Sequence, residues 1–219
     1  MKAQESAFLG KISAGMTHEI KNVLAIIRES AGLMEDLLSL CRDSSFPYQE
    51  KFCTVLGTIQ GQVRRGVELT TRLNRFAHSM DAPVAEVDVS ALLEQMVCLM
   101  QRFARLKRLE LEALPAGKPI TIRTDPFRLQ LILAACLDHL FGLAKEGGRI
   151  GLGPQLDGGN VAIRIFGVKE GFSGPPRVGE LPEELGALSE IIQALQAELR
   201  TLDAGGDAGF VLLLPMEIQ

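Results

Sequence analysis

The chain opens on a long helical stripe. Apolar side chains stand at Leu9, Ile12, Met16, Ile20, Val23, Ile27, Ala31, Met34, Leu38 and Cys41, each three or four residues after the last. That step keeps them on one face of a helix, and it predicts a helix from about Gln4 to about Cys41. The segment Arg42-Asp43-Ser44-Ser45-Phe46-Pro47 then breaks the pattern. A second helix follows, with Phe52, Leu56, Ile59, Val63, Val67, Thr70 and Leu73 at similar spacing. Together they form a helical hairpin. Two helices of this length cannot bury both apolar faces alone, but two hairpins can, so the pattern predicts a homodimer built as a four-helix bundle.

After residue 80 the period changes. Val84–Val87, Leu109–Ala113, Ile120–Thr124, Arg149–Gly153, Val161–Phe166 and Phe210–Leu214 read as strands, the fourth and fifth joined by a turn at Asp157-Gly158-Gly159-Asn160. Asp88 or Ser90 caps a helix to about Arg105, with Glu94 placed for a capping-box contact if the cap lies at 90 or 91. Pro126 suits the first turn of a helix to about Leu143, and Pro182 opens another to about Leu202. The order predicts one mixed sheet with helices on one face. The fold class is therefore α+β: a hairpin domain, residues 1–80, then an α/β sandwich, residues 81–219. Ser79-Met80-Asp81-Ala82-Pro83 reads as the linker.

Composition narrows the functional classes. The 219 residues carry a net charge of −4, distributed as +2 over residues 1–80 and −6 over the rest. With no Trp and a single Tyr, stacking platforms for single strands are missing, so no nucleic-acid partner is expected. The longest uninterrupted apolar run, Leu131 to Leu137, is seven residues, and the N-terminus shows no signal-peptide core. A bilayer span needs roughly 20, so no membrane is expected and the reading is cytoplasmic. The cysteines at 41, 53, 98 and 136 form no CxxC pair and read as reduced, buried small hydrophobes.

The candidate chemistry lies on the first helix. On a wheel of about 100° per residue, Leu9, Met16, Val23, Ile27 and Met34 fall roughly 140–180° from His18. Asn22 and Lys11 fall within about 40° of it, and Glu19 at about 100°. His18 therefore points to solvent, opposite the apolar seam. By geometry alone it could be an ordinary surface histidine. Its neighbours offer chemistry, since a neutral imidazole is a nucleophile near pH 7. Glu19 could orient the ring or take its proton, and Asn22 could position a water or a phosphoryl oxygen. Lys11 or Lys21 could offset phosphoryl charge. A zinc-protease pattern would need a second histidine at 22, where Asn22 stands.

Residues 8–24, FLGKISAGMTHEIKNVL, resemble the phosphoacceptor segment of the dimerisation domain of two-component histidine kinases. The aromatic-Leu start, the small residues before the motif, Met16 and His-Glu-x-Lys-Asn carry the match. The resemblance implies that His18 accepts the phosphoryl group and that Glu19 is its general base. It implies further that Asn22 orients water in the family's phosphatase motif. Val23 departs from the family, which often has proline there; valine leaves the helix stiffer.

The second half resembles the kinases' ATP-binding domain, with losses. Asp125-Pro126-Phe127-Arg128-Leu129 and Glu146-Gly147-Gly148-Arg149-Ile150 look like the entry to and exit from the family's asparagine box. Its two asparagines align with Ala135 and His139. Gly167-Val168-Lys169-Glu170-Gly171-Phe172 stands where an Asp-x-Gly-x-Gly box belongs, and no aspartate follows until Asp203. Glu180-Leu181-Pro182-Glu183-Glu184-Leu185-Gly186 replaces the Gly-x-Gly phosphate loop, and its three carboxylates would repel triphosphate. A degenerate domain of this kind implies no ATP use and no cofactor bound by this chain. The expectation is histidine phosphotransfer between response-regulator receiver domains, resembling dimeric kinase-derived phosphotransferases. Magnesium would be supplied by the receiver, which would dock near Ala25, Ile26 and Glu29. A receiver phosphatase, an autokinase with a divergent site and a non-catalytic decoy remain as alternatives.

Overall fold

The computed structural model describes residues 2–39, 48–81, 84–173, 176, 179 and 181–218. Two helices come first, α1 (Lys2–Ser39) and α2 (Gln49–His78). Then follow β1 (Ala85–Asp88), α3 (Val89–Leu106), β2 (Glu110–Ala113), β3 (Thr121–Thr124), α4 (Pro126–Leu143), β4 (Arg149–Asp157) and β5 (Asn160–Val168). The chain closes with α5 (Glu183–Gly186), α6 (Ser189–Ala194), β6 (Glu198–Ala204) and β7 (Asp207–Pro215). The break expected at Arg42–Pro47, and Cys41 before it, lie outside the described residues. The chain falls into two compact units, residues 13–75 and residues 1–12 with 76–219.

The first unit is a pair of helices. Neither contains proline, and both are rich in residues that favour helix. Within this unit the buried positions of α1 are Gly15, Met16, Glu19, Val23 and Leu37; along α2 they include Val55 and Leu69. The expected stripe on α2 is corrected in part. Leu56, Val63 and Val67 are 40%, 48% and 61% exposed, and the buried stripe lies to one side of them. On α1, Leu24 and Leu38 are likewise 59% and 53% exposed. Each helix thus carries two apolar stripes, of which the hairpin covers one. The helices approach closely at Gly66, where a Cβ would stand 3.2 Å from Val23 Cγ1.

The second unit is an α/β sandwich. Its five-stranded sheet has the order β2-β4-β5-β7-β6, with β2–β4 parallel and the other pairs antiparallel. β1 and β3 form a separate antiparallel pair, so the predicted single sheet is in fact a mixed sheet plus a two-stranded ribbon. Alternation along the strands points Ile150, Leu152, Val161, Ile163, Ile165, Phe210, Leu212 and Leu214 inward, all essentially buried. Helices cover that face. Asp88 caps α3 by accepting from Ala91 N at 3.0 Å, which leaves Glu94 out of capping-box register. Asp125 caps α4 by accepting from Arg128 N at 2.9 Å, with Pro126 in the first turn.

α4 is the core helix of this unit. Leu129, Ile132, Leu133, Cys136 and Leu137 are fully buried. By length and composition alone it could cross a membrane, but 61% of it is enclosed by the rest of the protein. Burial pushes the Cys136 thiol far up, so it stays protonated. Cys98 is half-buried, whereas Cys53 is exposed, against the expectation of burial for all four cysteines. The first turns of α1 and the last turn of α2 also belong to this unit. Phe8, Phe76 and Phe127 form an aromatic cluster with ring centroids 5.5, 5.8 and 6.2 Å apart, and such pairs add about 0.5–1.5 kcal/mol each beyond their buried area.

The predicted helix from Pro182 to Leu202 is a correction. The segment forms two short helices and the edge strand β6. Gln196 turns the chain with a φ of 50°, after which Glu198, Leu199, Arg200 and Thr201 alternate outward and inward. Gly205 and Gly206, with φ of 62° and 87°, supply the tight hairpin into β7.

Two stability predictions follow from these contacts. Burial pushes the Asp125 carboxyl up from its ordinary value, against the lowering pull of the Arg128 N–H and guanidinium. A carboxyl raised on folding is stabilising while protonated, and that contribution is lost as pH climbs from about 4 through the folded value. Wild type should therefore lose stability relative to Asp125→Asn over that window. Asp125→Ala, which removes the cap, should cost about 0.5–2 kcal/mol at pH 7. Urea midpoints at pH 4 and pH 7 check both. Separately, Gly66→Leu should force α1 and α2 apart and destabilise by roughly 1–3 kcal/mol, read as a lowered thermal midpoint.

Candidate functional site

α1 places His18 on its exposed side. The buried run Gly15, Met16, Glu19 and Val23 turns one face of the helix onto α2, so residues 14, 17, 18, 21 and 22 are left facing water. The wheel predicted this orientation. His18 Nδ1 lies 3.3 Å from the side-chain amide nitrogen of Asn22, one turn on. The amide can present either end. With its nitrogen toward Nδ1, the ring proton sits on Nε2; turned by half a rotation, its oxygen accepts from Nδ1–H and leaves the Nε2 lone pair open to solvent.

Glu19 behaves differently from the other two. It is 8% exposed and lies in the seam, where the spacing from Met16 and Val23 would suit an apolar side chain. Arg65 of α2 answers it, donating from Nη2 to Glu19 Oε2 at 3.1 Å. The carboxylate is enclosed while the guanidinium reaches in from the rim, its side chain 45% exposed. Sequence reasoning missed Arg65. The available signal was an acid at a seam position of α1, which asks for a cation on the facing helix.

Of the two lysines considered for charge compensation, Lys21 is exposed beside His18 in sequence. Lys11 is committed elsewhere, in the second unit. Its ammonium pairs with Asp138 and sits 4.6 Å from the centre of the Phe103 ring.

The second unit contains a cavity of about 470 Å³ at the outer side of α4, lined by Ala135, Asp138, His139, Gly142, Leu143 and Glu184. The two positions singled out on α4, Ala135 and His139, therefore share one site with Glu184. His139 stacks edge-on to Phe210 at 5.8 Å, and its Nδ1 lies 3.9 Å from Glu184 Oε2. The segment after β5 is closed by hydrogen bonds. Lys169–Gly171 forms a single 3₁₀ turn, Lys145 N donates to Gly171 O at 2.7 Å, and Lys145 Nζ donates to Glu170 O at 2.8 Å. Asp203 lies on β6 and pairs with Lys169 at 2.6 Å. Among the described residues, no three histidine, cysteine or acidic side chains converge as a metal site.

Comparison with known proteins places these features. No protein-family profile matches the chain. The sensor protein CreC of Escherichia coli (strain K12) is 22% identical over 224 residues, covering 94% of this chain and 45% of CreC. The chain thus spans less than half the length of that relative. The catalytic domain of histidine kinase ThkA superposes with a TM-score of 0.53 at 15% identity, over 63% of this chain and 100% of that domain. A second crystal form of the same domain gives 0.52 at 16% identity, over 62% and 97%. These structural likenesses are likenesses of fold, and they agree with the α/β unit described above. In sequence the chain is similar to a sensor protein, and in fold it is like the catalytic domain of a histidine kinase.

Proposed function

We propose that this chain is a histidine phosphotransfer protein of a two-component relay, taking a phosphoryl group from a receiver-domain aspartate onto His18 and passing it to a second receiver without using ATP. The observation that carries the reading is the contrast between two sites. The acceptor helix presents His18 to solvent with Asn22 against its ring. The α4 cavity, by contrast, is lined by Ala135, His139, Asp138 and Glu184. That donor set does not fit a nucleoside triphosphate. Oxygen ligands suit magnesium better than His139 does, and Glu184 repels phosphate.

In the proposed step the Nε2 lone pair of His18 attacks phosphorus as the aspartyl oxygen–phosphorus bond breaks. The aspartate leaves as a carboxylate, and the ring keeps its proton on Nδ1, facing the Asn22 amide oxygen. Catalysis is mostly alignment. Positive charge for the phosphoryl oxygens comes with the receiver's own magnesium in this reading, with the exposed Lys21 one turn from His18 as a second source.

The proposal includes a homodimer. Leu24 and Leu38 on α1, and Leu56, Val63 and Val67 on α2, recur at steps of four, seven or fourteen and remain at least 40% exposed. A second hairpin offering the same stripes would cover them as a four-helix bundle.

Two outcomes are expected. Incubated with a panel of receiver domains charged by acetyl phosphate, the protein should acquire acid-labile, base-stable phosphate, and His18→Ala should abolish it. Loss of receiver phosphate with no labelled protein would instead favour a receiver phosphatase acting through Asn22. Unchanged receiver phosphate would favour a decoy. Calorimetric titration with magnesium–ATP should show no saturable binding below about 1 mM, a ceiling of roughly −4 kcal/mol; micromolar binding would overturn the ATP-independent reading.

A further inference from the structure

We infer that the cavity at α4 is a binding site for a small organic cation, a protonated amine carried on an apolar body. The inference is independent of the phosphohistidine reading and concerns only the unit that contains α4.

The cavity starts from the spacing of residues on α4. Most of this helix is buried. The stripe that lines the cavity is Ala135, Asp138, His139 and Gly142, residues three or four apart that share one helix face. Two of the four have the smallest side chains, so the helix surface is bare there. A Cβ at Gly142 would meet nothing within 4 Å. The space measures about 470 Å³, inside the range of roughly 300–1,000 Å³ that takes small organic molecules. Leu143 adds an apolar wall, and Phe210 meets the His139 ring edge-on at 5.8 Å. Charge then selects the occupant. Two carboxylates line the cavity, and among the described residues no lysine or arginine does. Asp138 is balanced by the Lys11 ammonium. Glu184 is not balanced in this way: its side chain is 78% exposed, and His139 Nδ1, 3.9 Å away, is beyond hydrogen-bond reach. Residues 81–219 carry a net charge of −6, a field that draws cations in and turns anions away. A bare metal ion does not fit, because Asp138, His139 and Glu184 do not converge as a metal site. The arrangement suits an ammonium set against Glu184, with its apolar body over Ala135, Gly142 and Leu143.

The test titrates the full chain at pH 7 with three probes that share one apolar body: phenylbutylamine, phenylbutanol and phenylbutyrate. Binding is followed by saturation-transfer NMR, with thermal melting run in parallel. The amine should saturate with a dissociation constant below about 1 mM, and the alcohol and the acid should bind at least about tenfold more weakly. Gly142→Leu fills the cavity from the helix side and should weaken the amine by about tenfold or more. Leucine favours helix over glycine, so this variant should melt no lower than wild type. Glu184→Gln should bring the amine down to the affinity of the alcohol. Its exposed position keeps it folded, so it carries the test should Gly142→Leu melt early. Equal affinity for all three probes would overturn the inference. So would an amine affinity unmoved by a folded Gly142→Leu or by Glu184→Gln, or no saturation by the amine below about 10 mM. Phosphate labelling at His18 is read separately, and its success or failure leaves these outcomes unchanged.

Discussion

The rotation of α1 about its own axis governs what His18 can reach. A helix has no preferred face until something packs against it, and here that something is α2. Gly15, Met16, Glu19 and Val23 are turned inward together, so His18 and Asn22 must face water. The seam is narrow at Gly66, which admits Val23, and polar at the next turn back, where Arg65 meets Glu19. Apolar packing alone would allow α1 to slip by a fraction of a turn at little cost. The ion pair makes that slip expensive, because it would separate two charged groups in a partly enclosed place. The exposure of His18 is thus a property of the hairpin rather than of the local sequence.

The α/β unit keeps its core apart from the groups that line its cavity. The inward residues of β4, β5 and β7 and the fully buried face of α4 make an apolar core. The cavity at α4 is lined by a different set of groups. Ala135 offers no polar atom, His139 is held between Phe210 and Glu184, and the segment after β5 is a hydrogen-bonded 3₁₀ turn. Packing and site chemistry are thus carried by different side chains.

Much of this was legible in the sequence. Asp88 announced the start of α3, because a side-chain acceptor before an apolar run satisfies the orphan N–H groups of a helix, and Pro126 announced that of α4. Gly158 and Gly159 marked the β4–β5 turn. His18 could be assigned to the wet face of α1 because its angular distance from the seam is large. Other features were hidden for physical reasons. Residues 183–204 contain good helix formers, and propensity outweighed the short alternation of Glu198, Leu199, Arg200 and Thr201 that the sheet edge selects. On α2 two apolar stripes run side by side, and a single-helix pattern cannot say which one meets α1. Arg65 was invisible for the same reason. Its role depends on which residue faces it across the hairpin, and one-dimensional spacing carries no information about that pairing.

The most direct test of the account is a pulse–chase between two receiver domains. The first is charged with labelled phosphate and mixed with this protein, then removed; the second is added without nucleotide. The account predicts that label appears first on His18 and then on the second receiver, with matching loss from the histidine. Label that never reaches the protein, or that reaches the second receiver equally well through the His18→Ala variant, would contradict it.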